Sequence, residues 1–150
     1  MGIPLPQLIP ILAASIAPVI VISGVGLLLL SMTNRYSKVI DRARELIKDW
    51  EGAGDGTRRT LLDEQIHITY RRGRILRTAI ILSSVSILFV VFTVLAVFAG
   101  QLGKFATDYV SVPCFGLALL ALLGSLYYFI EDVSISLNAL ELEVRSYQRR

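Results

Sequence analysis

Three stretches of the chain carry no charged residue: residues 1–34, 78–103 and 109–130. Between and after them, continuous apolar sequence gives way to apolar and charged positions alternating at helical spacing. A hydrocarbon core about 30 Å thick takes roughly 20 residues of helix at about 1.5 Å each. Each stretch is therefore long enough to span a bilayer, and the expected spans are residues 11–32, 78–99 and 109–130. Pro4, Pro6 and Pro10 predict an N-terminal arm or turn outside the first span, and Pro18 predicts a kink within it unless neighbours compensate. Gly100-Gln-Leu-Gly103 and Lys104 predict a short loop ending at Asp108, with Pro113 in the first turn of the third span.

The charged segments read as helices too. Tyr36, Val39, Ile40, Ala43, Ile47 and Trp50 recur at helical spacing, so the first span continues as an amphipathic helix to about Glu51. Arg42, Glu45 and Lys48 stand three residues apart, close enough for ion pairs along its surface. Gly52-Ala-Gly-Asp-Gly56 predicts a turn. Thr60, with Asp63 three residues on, predicts the cap of a returning helix. Its stripe of Leu62, Ile66, Tyr70, Gly73 and Leu76 matches that of the outgoing helix, which predicts an antiparallel hairpin over residues 33–77. After the third span, Leu126, Ile130, Val133, Leu137, Leu140, Val144 and Tyr147 form a heptad seam in a helix over residues 131–150. That seam is suited either to a coiled coil between chains or to packing on the hairpin. The expected fold is all-α: one integral membrane domain, residues 1–150, of three transmembrane helices with helical extensions.

Composition agrees with this pattern, since 54% of residues are hydrophobic and mean hydropathy is +0.63. A soluble domain holds about 45–50% even with glycine counted. Of 15 Lys and Arg residues, 11 fall between Arg35 and Arg77, among seven acids. The bias of basic residues to one side predicts a multi-pass protein of a prokaryotic inner membrane, N-terminus outside, with loop and tail in the cytoplasm. No charge precedes the first apolar run, which outlasts the core of a signal peptide, so the helix is expected to be retained. Basic residues beside a membrane attract anionic headgroups, by about 1 kcal/mol each. Nucleic acid is not an expected partner, because the charge signs alternate and no basic strand is interleaved with aromatics.

Candidate chemistry is sparse. His67 is the single histidine and Cys114 the single cysteine, neither with partners at metal-ligand spacing, and no phosphate loop or nucleophile motif occurs. No enzyme activity, metal or cofactor is expected. The spans lack the ionisable residues that coupled transporters place in the bilayer. Small residues at 13, 17, 24 and 31 share one face of the first span, next to Ser23 and Gly26. Ser23, Gly24, Gly26, Ser83, Ser86 and Thr93 are candidate helix-packing or pore-facing positions, and Gly116, Gly124 and Ser125 are close-packing positions. Arg71, Arg72, Arg74 and Arg77 crowd the approach to the second span as headgroup anchors or anion ligands. Glu131 and Asp132 either pair with Arg35 or that arginine cluster, or attract cations.

The run from Ile16 to Ser31, with Thr33-Asn-Arg35, Asp41-Arg-Ala-Arg44 and Tyr70-Arg-Arg-Gly-Arg74, resembles a prokaryotic membrane family. That family is catalogued as a domain of unknown function, number twenty-seven twenty-one. The resemblance implies a three-span helical protein and supplies no activity. It draws attention to Asn34, Arg35, Asp41, Arg42 and Arg44, where the first span emerges, and Asp41 is suited to bridging arginines across the hairpin or between subunits. Two functions remain: a non-enzymatic interaction protein, as homo-oligomer or accessory subunit, and an oligomeric ion channel with a pore lined by hydroxyl and small residues.

Overall fold

A computed structural model of the chain describes the backbone of residues 5–54, 56–103 and 108–148, and the side chains of residues 16, 18–54, 56–100 and 109–136. It contains three helices: α1, Leu5–Gly52; α2, Thr57–Gly103; and α3, Asp108–Gln148. All three are long and apolar enough to cross a membrane. At about 1.5 Å per residue the 48 residues of α1 extend about 70 Å, more than twice the hydrocarbon thickness. A helix of that length necessarily carries its polar half out of the apolar layer.

Breaker residues interrupt the helices less than their local chemistry predicts. α1 begins at Leu5, so Pro6 and Pro10 lie inside it and not in an arm, and the helix is unbroken at Pro18. Pro6 lies in the first turn and loses no intrahelical bond, because those N–H groups have no partner there in any case, whereas Pro10 and Pro18 each forgo one. α2 begins at Thr57 instead of Thr60, with the N–H groups of Arg59 and Thr60 donating to the Gly56 carbonyl at 3.0 and 3.5 Å. Gly56 has φ +149°, a conformation that side chains disfavour, so glycine is required at this turn. α2 also runs through Gly100 to Gly103, four residues beyond the expected end of the span, and α3 starts early enough that Pro113 is interior to it.

The buried residues of each helix recur every seven residues, or alternately three and four. On α1 they are Val25, Met32, Val39 and Leu46; on α2, Leu76, Ala79, Ser83, Ser86, Val90 and Thr93, with Ile75 buried beside the line; on α3, Ala118, Ser125 and Asp132. Heptad spacing keeps one line of side chains against neighbouring helices. This overturns parts of the expected stripes. Leu46, not Ile47, is the buried residue in its turn of α1; Tyr70 is 65% exposed; and Ile130 is 62% exposed, so the α3 seam lies one position earlier than expected. The side chains of Ala13, Ala17, Leu137, Leu140, Val144 and Tyr147 lie outside the described set.

The described residues cluster into two compact units, residues 1–30 with 82–123, and residues 31–81 with 124–150. In the first unit, Ser86 Oγ donates to the carbonyl of Ala118 at 2.8 Å, joining α2 to α3, while Thr93 Oγ1 bonds its own helix at Phe89. Ser83 is fully buried, and Ser23 is exposed and bonds the Val19 carbonyl. A Cβ added at Gly24 or Gly26 meets nothing within 4 Å. In the second unit, Ser125 Oγ donates to the carbonyl of Ala79 at 2.8 Å and lies 3.9 Å from Met32 Sδ, so one hydroxyl touches all three helices. α1 and α2 approach closely at Gly73, where an added Cβ would stand 3.6 Å from Val39 Cγ1.

Candidate functional site

The seam of α3 places a carboxylate, Asp132, seven residues after Ser125, and its side chain is fully buried. An isolated buried carboxylate is costly unless it is paired. Arg72 of α2 supplies the pair: its Nε donates to Asp132 Oδ1 at 3.3 Å and its Nη2 to Ser136 Oγ at 3.1 Å. Ser136 follows Asp132 by one helical turn, so both acceptors face the same guanidinium. Arg35 of α1 places Nη1 3.9 Å from Asp132 Oδ2, with its guanidinium carbon 5.3 Å from the Phe129 ring centroid. Oδ2 itself accepts no hydrogen bond. One carboxylate thus faces two guanidinium groups, and each of the three helices contributes a charge.

Beside this clasp lies a cleft of about 390 Å³, lined by Arg35, Lys38, Val39, Arg42, Thr69, Arg72 and Ser136. Arg35, Lys38 and Arg42 follow one another at three and four residues along α1, which puts them on one face. Arg42 Nη1 also contacts Glu45 Oε2 at 3.2 Å. A second, smaller cavity of about 120 Å³ lies against the Val39–Gly73 contact, with Arg74 and Arg77 at its edge.

The other candidate positions lie apart from the clasp. Asp41 pairs at 3.8 Å with Arg44 on its own helix, both exposed, and so does not bridge across to α2. Asn34, Arg71 and Arg74 are exposed, and Glu131 is half-buried. Of the four arginines preceding the apolar part of α2, Arg72 alone turns inward, because 72 falls on the seam that continues through Leu76 and Ala79. Pattern reading missed Lys38, Thr69, Phe129 and Ser136. The available signals were the one-turn spacing of Asp132 and Ser136 and the shared face of residues 35, 38 and 42.

Neither a curated protein nor a solved structure matches the chain. A family model does, over residues 15–142, which include the clasp and every described residue of the cleft. The chain belongs to the DUF2721 family, proteins of unknown function.

Proposed function

We propose that the chain is a non-enzymatic protein of the prokaryotic inner membrane, N-terminus outside, that acts through its cytoplasmic helical end. In this reading it works as a homo-oligomer or accessory subunit, and anionic headgroups are its lipid partners. The observation that carries the reading is the gathering of Arg35, Lys38, Arg42 and Arg72 on one cleft just beyond the uncharged stretches. Such a surface favours anionic groups at the headgroup layer. The hydroxyls favour this reading over an ion channel. Ser83, Ser86 and Thr93 are buried within the helix packing, and Ser86 bonds a neighbouring helix, which leaves them turned away from any pore formed between subunits.

Native mass spectrometry of the detergent-released protein, with cross-linking in membranes, tests the proposal. The expected result is a closed homo-oligomer or a stoichiometric partner, with anionic lipid retained. A bare monomer that keeps neither partner nor lipid overturns it. Gly24→Ala is informative beside the wild type, because nothing described in the chain lies within 4 Å of the added Cβ. An oligomer lost in that variant is lost through a contact between subunits.

A further inference from the structure

We propose that the cleft between α1, α2 and α3 is a binding site for a phosphate dianion, either inorganic or carried as a phosphomonoester headgroup. The inference rests on the reading of this end as an anion-recognising surface, and it is independent of oligomeric state. Four cations line the cleft, Arg35, Lys38, Arg42 and Arg72, while two carboxylates contact them, Asp132 and Glu45. The excess of two positive charges matches a dianion.

Geometry adds to the charge count. Three of the cations share one helix face, where like charges repel unless an anion lies between them. Arg72 is only 24% exposed and is held by two bonds, to Asp132 and Ser136, so its orientation is set before any ligand arrives. Ser136 Oγ accepts from Arg72, which leaves its hydroxyl proton for a ligand oxygen. Guanidinium forks match the oxygens of a phosphate better than they match a halide. The volume of about 390 Å³ lies within the usual small-molecule range of about 300–1,000 Å³, enough for a phosphate with an organic substituent.

The test uses the full chain and two probes. In neutral detergent, inorganic phosphate is titrated against chloride at equal ionic strength, following the unfolding temperature. In nanodiscs, phosphatidic acid is added to phosphatidylcholine and its binding is measured. A saturable response in either arm is expected. The phosphate arm identifies a soluble ligand, and a response to phosphatidic acid alone identifies the headgroup. Lys38→Gln with Arg42→Gln is expected to weaken that response at least tenfold, since losing even one charge-assisted bond corresponds to about that factor. Arg44→Gln with Arg58→Gln removes the same charge outside the cleft and is expected to leave affinity within about twofold. The absence of saturation in both arms, or equal weakening by both double variants, overturns the site. Retention of anionic lipid by a protein that shows neither response would leave the broader reading standing and remove the cleft from it.

Discussion

At the residue scale the two arginines facing Asp132 are unequal. Arg72 is mostly buried and bonded, whereas Arg35 is 45% exposed and stands 3.9 Å away. Removing one member of a buried pair costs about 3–5 kcal/mol, while exposed pairs contribute about 0–1 kcal/mol. Asp132→Asn is therefore expected to destabilise the protein by about 3 kcal/mol, and Arg35→Gln by less than about 1 kcal/mol, in chemical unfolding from detergent micelles. Equal effects would show that Arg35, not Arg72, is the main counter-charge. Part of this site was legible beforehand: two adjacent acids and a cluster of arginines flank the uncharged stretches at similar depth. Which acid turns inward was not legible, since that depends on the phase of α3, and an error of one residue rotates a helix by about 100°.

At the element scale the inter-helix hydroxyl bonds differ from those within a helix. Ser86 and Ser125 donate to carbonyls of neighbouring helices, while Thr93 and Ser23 donate within their own. Ser86→Ala and Ser125→Ala are each expected to cost about 0.6–2 kcal/mol, and Ser23→Ala close to nothing, in the same unfolding measurement. Gly73→Ala adds a Cβ at ordinary contact distance, 3.6 Å from Val39, and removes a helix-interior glycine. It is expected to be neutral or stabilising by up to about 1 kcal/mol. The existence and type of all three helices followed from the sequence because uncharged runs of this length leave the backbone no alternative in lipid. The full seam did not follow from hydrophobic periodicity. Its residues are largely small or polar, Ala79, Ser83, Ser86, Ala118 and Ser125, while Leu27, Phe92, Leu120 and Ile130 face outward. In lipid the outer face needs no polarity, so hydrophobic periodicity stops marking the inside.

At the scale of the whole molecule, that outward apolar surface is what the bilayer covers. A lysine at Leu120, 65% exposed in the middle of an uncharged stretch, is expected to raise the insertion cost of α3 by about 2.5–3.5 kcal/mol, read as lost membrane integration in a translocation assay. The same substitution at Tyr70, equally exposed but in a charged segment, should leave integration unchanged. The α1–α2 turn carries a different consequence. The guanidinium carbon of Arg59 lies 4.1 Å from the centroid of the Trp50 ring, bracketing the glycine-rich link between the helices. Trp50 is the single tryptophan of the chain, so its fluorescence has one origin. A cation over the ring perturbs that emission, and separating the two helix ends removes it. The purified protein thus carries an intrinsic optical gauge of whether this link is closed, readable in detergent or a reconstituted bilayer without any label.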